Sequence, residues 1–148
     1  FLMEYVKLKI DGINMRTAVR LKRMNQDSSQ LSKYFIEGGS VPLSRLRVEI
    51  TPESLISIFE TSPLKEAAHS AADALREGKG LARVDTQVEN ALLNYLKNAK
   101  YIPFGEMHII AHVAARETEF TAINMVLAAR KAGLLPEEIM ERLRETYV

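Results

Sequence analysis

Glu4-Tyr5-Val6-Lys7-Leu8-Lys9-Ile10-Asp11-Gly12-Ile13-Asn14-Met15-Arg16-Thr17-Ala18-Val19-Arg20-Leu21-Lys22 alternates apolar and polar residues on both sides of one Asp-Gly dipeptide. Before the dipeptide, Val6, Leu8 and Ile10 point one way and Tyr5, Lys7 and Lys9 the other, the period of a half-buried strand. After it, Ile13, Met15, Thr17, Val19 and Leu21 share one side, with Asn14, Arg16, Ala18, Arg20 and Lys22 opposite. Asp-Gly between two alternating runs is a strong signal for a two-residue hairpin turn. That turn sets Ile10 against Ile13, Leu8 against Met15 and Val6 against Thr17, which puts both apolar sets on one layer. A helix over 15–24 is the rival, but its apolar residues scatter around the wheel. The stretch predicts an antiparallel hairpin.

Working outward, residues 45–50 predict a third strand, with Leu46, Val48 and Ile50 on one face and Arg45, Arg47 and Glu49 on the other. The connection over 25–32 is polar, 31–36 suggests a short helix, and Gly38-Gly39-Ser40 followed by Pro42 breaks it. Beyond residue 50 the period changes. Thr51-Pro52-Glu53 offers a cap, a proline for the first helical position and an acid for the positive helix end. Ser62-Pro63 starts a second helix through Glu77, whose inner face is Leu64, Ala67, Ala68, Ala71, Ala72 and Leu75. Asp85 looks like the cap of a third, with Val88, Leu92 and Leu96 at core spacing. Pro103 or Gly105 begins the longest helix, which ends at Gly133, and Pro136 begins the last, with Ile139, Leu143 and Tyr147 as its buried stripe. The expected fold is α+β: an N-terminal antiparallel hairpin with a third strand, packed against a C-terminal bundle of about five helices. No internal repeat and no linker stand out, so 1–148 reads as a single domain, 1–50 mainly β and 51–148 helical.

The composition sets the function classes. The 148 residues are 47% hydrophobic and 26% charged, as in an ordinary globular chain, and cysteine is absent. Thiol catalysis, disulfides and Cys-ligated metal are thereby excluded. No apolar run approaches membrane-helix length, and the first ten residues carry Glu4, Lys7 and Lys9 without a signal-peptide pattern. These features give the expectation of a cytoplasmic, intracellular protein with no membrane partner. The net charge of +1 conceals an asymmetry: residues 1–50 hold nine Lys/Arg against five Asp/Glu, so the positive excess sits at one end.

On the predicted sheet, Lys7 and Arg16 lie directly across from each other, a like-charge pair that an approaching phosphate would relieve. Tyr5, Lys7, Lys9, Arg16, Arg20, Lys22, Arg45 and Arg47 therefore form the candidate nucleic-acid-binding set, reading phosphate rather than base sequence. The leading function is a small non-enzymatic binding subunit for RNA or DNA. A helical scaffold or oligomerisation protein, joined to a larger assembly or to itself, is the first alternative.

The second alternative is a metal-dependent enzyme. His108 and His112 lie one helical turn apart, and Glu119 returns to nearly the same side, so zinc or another transition metal is the cofactor this set would take. Ile109 occupies the place of the catalytic glutamate of a zinc hydrolase, and no third ligand is specified. His69 and Asp73 are spaced i,i+4 on the side of their helix away from the alanines. The main expectation is no cofactor and no catalytic residue. Met107, Ile109, Ile110, Val113, Phe120, Val126 and Leu127 make the His108–His112 helix apolar around most of its surface, which predicts a central, buried position.

Overall fold

In the computed structural model, which describes residues 1–25, 33–78 and 80–143, every regular element is helical. The helices are α1 (Leu2–Arg23), α2 (Leu43–Leu46), α3 (Pro52–Phe59), α4 (Lys65–Glu77), α5 (Ala82–Lys97), α6 (Met107–Lys131) and α7 (Pro136–Arg142), with a 3-10 turn at Asn98–Tyr101. No strand occurs among the described residues, so the expected α+β fold gives way to an all-helical one. The chain groups into two compact units, Phe1–Val88 and Glu89–Val148, described one at a time below.

The hairpin expectation fails because α1 runs straight through Asp11 and Gly12. Of its eight buried residues, Leu8, Asp11, Gly12, Met15, Ala18 and Val19 follow steps of three and four that mark one face of a helix, and Asn14 and Leu21 are buried on its flank. Two of those six are not hydrophobic, which hides the period from a hydropathy reading. Val6, an inward residue in the strand register, is exposed, and Ile10 and Ile13 are only half-buried. Glu4 in the first turn and Arg20, Lys22 and Arg23 in the last complement the helix dipole.

Gly12 is inward for a steric reason. A Cβ there would lie 2.6 Å from Cγ1 of Val88 and 3.9 Å from Cδ2 of Leu64. The glycine costs about 1 kcal/mol of helix propensity relative to alanine. In exchange, α1 comes close to the first half of α5. A turn residue by sequence is a packing residue in the fold.

The third strand is also absent. Leu43–Leu46 is a short helix, and Leu46 and Ile50 are buried while Val48 between them is exposed, a spacing of four instead of two. Residues 33–36 are not helical, and the expected polar connection over 26–32 lies outside the described residues, as does Tyr147.

Several helix boundaries from Thr51 onward follow the local signals, while the helix expected from Ser62-Pro63 begins at Lys65 and the longest begins at Met107. Thr51 Oγ1 accepts from the Ser54 N–H at 3.1 Å, and Ser54 Oγ accepts from the Thr51 N–H at 2.9 Å, a reciprocal cap with Pro52 in the first turn. Leu55, Ile58 and Phe59 of α3 are buried, as are Leu64, Ala67, Ala68, Ala71 and Ala72 at the start of and along α4, and these two helices pack together. Small side chains let the α4 backbone approach its neighbours. Gly78 closes α4 with φ +65°, a left-handed conformation that other residues adopt only at a cost.

In the second unit, Leu92, Leu93, Leu96 and Ala99 are buried, and the 3-10 turn contacts α6. Gly133 follows α6 with φ +74°, and Pro136 opens α7, where the Leu135 N–H donates to the Glu138 carboxylate at 3.0 Å. Helix α6 does not take the central position expected of it: only Ala111 and Ala129 are buried along its 25 residues. Among the described residues, no helix is long and apolar enough to cross a membrane.

Candidate assembly surface

Two polar side chains inside the first unit organise its loop. Asn14 Nδ2 donates to the Ile36 carbonyl at 2.8 Å, and the Ile36 N–H donates to Asn14 Oδ1 at 2.8 Å, so one carboxamide pairs with one residue's backbone as a neighbouring strand would. One helical turn toward the N-terminus, the Asp11 carboxylate accepts from the Ser40 N–H at 3.0 Å and the Val41 N–H at 3.2 Å. Gly39 passes so close that an added Cβ would collide with Asp11 Oδ1. Residues 36, 40 and 41 are thus fastened to the flank of α1 by side chains, which give these backbone groups the partners that a strand would otherwise supply.

Burial pushes the Asp11 carboxyl above the ordinary carboxylate range, and the Val41 and Ser40 donors hold it down only in part. With the folded value above the unfolded one, the native state binds the proton more tightly. The stability gained from protonation is therefore full below the unfolded value and lost as pH rises through the folded one. Asp11→Asn abolishes that dependence, so it is expected to cost more stability at mildly acidic pH than at neutral pH. Urea midpoints at both values, compared between wild type and variant, test this; an equal or smaller cost in acid contradicts it.

The basic residues that the sheet reading gathered onto one face take separate places. Lys7 pairs with Glu4 at 2.8 Å, and Lys22 with Glu49 at 3.3 Å. Arg16 and Arg20 both reach Asp85 of α5, at 3.4 and 3.9 Å. Asp85, the expected cap, instead lies in the first turn of a helix that starts three residues earlier. Tyr5 is half-buried, and Lys9, Arg45 and Arg47 are exposed. Acids supplied by other elements meet four of the eight or lie one turn away, and helical spacing sends Lys7 to the side of α1 opposite Lys9.

The histidines do not converge either. His108 donates from Nε2 to the Ile102 carbonyl, His112 is exposed, and Glu119 binds Arg116 at 2.7 Å. His69 is half-buried, and Asp73 lies 3.9 Å from Arg76. Among the described residues, no group of three His, Cys, Asp or Glu side chains is arranged to hold a metal ion.

What the second unit does present is an apolar surface. Ile109, Val113, Phe120, Ile123 and Leu127 are all exposed, Phe120 by 71% and Ile109 by 70%. With Arg116 they step along α6 by four, three, four, three and four residues, which holds them within roughly 40° of one line at 100° per residue. The opposite face carries Ala111, Ala114, Thr118, Ala122 and Ala129, buried or half-buried. Met107, Met125 and Val126 share that inner face and are half-buried, so α6 carries apolar side chains on both sides, with the five largest exposed ones on the outer line. Phe104, Tyr101, Leu135 and Met140 add further exposed apolar area in the same unit. A patch of this kind marks an interaction surface.

A spacing that the sequence reading missed links this helix to α1. Ile13-Asn14-Met15, Ala18 and Arg20 recur as Ile123-Asn124-Met125, Ala128 and Arg130, identical at five positions in eight. In α1, Asn14 and Ala18 are buried and Asn14 holds residue 36; in α6, Asn124 and Ala128 are exposed. The signal that would have found it is the Ile-Asn-Met tripeptide, which occurs twice.

Comparison with known proteins gives a consistent result. Residues 1–142 match the family described as ATP synthase (C/AC39) subunit. The C subunit of the A-type ATP synthase of Halobacterium salinarum is 31% identical over 143 residues, covering 95% of this chain and 40% of the relative. The proteins of the same description from Halorubrum lacusprofundi and Pyrococcus abyssi are 28% and 22% identical, covering 94% and 96% of this chain and 40% and 39% of theirs. The chain spans about two-fifths of the length of these relatives. No solved structure matches it. These matches overturn the expected RNA- or DNA-binding function, the nucleic-acid partner and the free cytoplasmic location, since the relatives are subunits of an ATP synthase. The helical-scaffold alternative is the better supported reading.

Proposed function

The chain belongs to the ATP synthase (C/AC39) subunit family, and from that premise we propose that it serves as a non-catalytic helical subunit piece of an A-type ATP synthase. Its role is structural: it joins other subunits through helix packing rather than through a reacting group. The outward apolar stripe of α6 carries this reading, because five large side chains held in water on one line are available for a helix from another element. Arg116 within the stripe is paired with Glu119, so the face can be covered without burying an unpaired charge.

The test is reconstitution. A-type ATP synthase purified from Halobacterium salinarum and stripped of its own C subunit is mixed with this chain and sedimented. Stoichiometric recovery of the chain with the assembly is the expected result. A chain that stays in the supernatant at every concentration overturns the assignment.

A further inference from the structure

We propose that residues 38–41 form a strap whose closure over the flank of α1 is tied to one proton: shut when the Asp11 carboxyl is neutral, loosened when it is ionised. The strap lies wholly in the first unit and uses a buried group that helix packing with other subunits does not need.

Asp11 sits in the middle of α1 and is 1% exposed. Its carboxylate meets the Ser40 N–H at 3.0 Å and the Val41 N–H at 3.2 Å, and the Ser40 hydroxyl adjoins it. No cation among the described residues pairs with it. On its own helix, Lys7 is held by Glu4. The first half of α5 offers Asp85, taken by Arg16 and Arg20, and the exposed Arg83. Helix α4 brings only exposed charges and the half-buried His69, and Glu37 beside the strap is exposed. The charge on Asp11 is therefore carried by two amides and a hydroxyl, and burial raises its cost more than these donors offset.

An opened strap returns the carboxyl to water and to its ordinary range. The closed state thus binds the proton more tightly than the open one. Closure is fully supported below the ordinary range and weakens as pH rises through the raised value. Neutral Asp11 keeps its partners, because its remaining lone pairs still accept and its new O–H donates to Ser40 Oγ.

The segment also has a fixed end and a pivot. Asn14 grips both backbone groups of Ile36 at 2.8 Å, one helical turn from Asp11. Between that grip and the carboxylate lie Gly38, at φ +98°, and Gly39, whose missing Cβ lets the chain touch Asp11. A swing at Gly38 hydrates Asp11 and uncovers the buried Val41 while Ile36 stays in place. An opening of this size lies far below global unfolding in free energy, which lets one proton govern it.

Amide hydrogen exchange of this chain, read by NMR at neutral pH and at about pH 4 and corrected for the intrinsic rates, tests the proposal. At neutral pH, Ser40 and Val41 are expected to exchange faster than Ile36 and than Ala71 in the core of α4. At the lower pH they should gain several-fold protection, and Asp11→Asn should remove that gain. Exchange at Ser40 and Val41 no faster than at Ala71 overturns the proposal, because the strap then opens only with the whole unit. So does protection that stays level or falls in acid, and so does a gain that survives Asp11→Asn. Should that variant fail to fold, the carboxyl carbon shift of Asp11 in the wild type decides. Its midpoint is expected above the ordinary carboxylate range and in step with the change in protection, and a midpoint within or below that range overturns the strap.

Discussion

Gly12→Val is expected to destabilise the first unit by about 2–3 kcal/mol, the upper part of the range for forcing extra methyl groups into a packed core. The position is helical, so the backbone imposes no penalty, and valine's helix propensity is somewhat better than glycine's. All of the loss must therefore be steric. Val88, the residue a Cβ would strike at 2.6 Å, is buried and β-branched, so it has neither space nor a second good rotamer in a helix to escape to. Gly12→Ala separates the two terms: about 1 kcal/mol of propensity is gained and the same contact is violated, giving a smaller net loss. In a double-mutant cycle with Val88→Ala, the Gly12→Ala cost should shrink or reverse, a coupling on the order of 1 kcal/mol. Urea unfolding of the four proteins measures it. If Gly12→Ala simply stabilises by its propensity and shows no coupling to Val88, the close approach of α1 and α5 is wrong.

The same glycine explains why the N-terminal third was misread while the helical remainder was largely legible. Caps and breakers are local: Thr51-Pro52, Gly78, Gly133 and Pro136 act on their own backbone, and the helices begin or end beside them. The alanine face of α4 was also legible, because small residues at steps of three and four have few other uses. Asp11, Gly12 and Asn14 act on distant partners. Their meaning lies in Val88, Ile36, Ser40 and Val41, between 22 and 76 residues away, and no local rule names those partners. Once Asp11-Gly12 is taken as a turn, apolar residues on both sides of α1 supply an alternation that supports the error. Val6, Ile10 and Ile13 lie on the outer side of the helix and interleave with Leu8 and Met15.

The basic face failed for a related reason. Counting charge along the chain finds Lys7, Arg16, Arg20 and Lys22, but their acids come from Glu4, Asp85 and Glu49, and two of those three lie beyond the α1 sequence. The burial of α6 was inverted because apolar content says only that a helix is to be covered. It does not say which side of the helix is covered or by what. Of the assembly surface, its residues were legible and its direction was not.

Asn14→Ala is expected to cost about 2 kcal/mol, with a fall in Tm of roughly 8–16 °C for a unit of this size. The variant removes one donor and one acceptor together and leaves the Ile36 N–H and carbonyl without the partners they have at 2.8 Å. Asn14 is fully buried, so no solvent waits at its own position to replace the carboxamide. Ile36 is itself exposed and the two bonds are part-buried, so each contributes about 0.5–1.5 kcal/mol and the cavity left by the buried carboxamide adds to that, against a total stability on the order of 5–10 kcal/mol for a small domain. The Ile36 amide should exchange with solvent much faster in the variant, a readout that cavity formation alone would not single out. Asn124→Ala supplies the internal control, because the same Ile-Asn-Met context holds an exposed asparagine on α6. Its effect should stay within about 0.5 kcal/mol, as for most surface substitutions. Thermal unfolding of both variants, with exchange measured at Ile36, compares one motif in its covered and bare forms. Similar costs at the two positions would mean that Asn14 contributes no more than a surface residue, and the clamp on residue 36 would have to be abandoned.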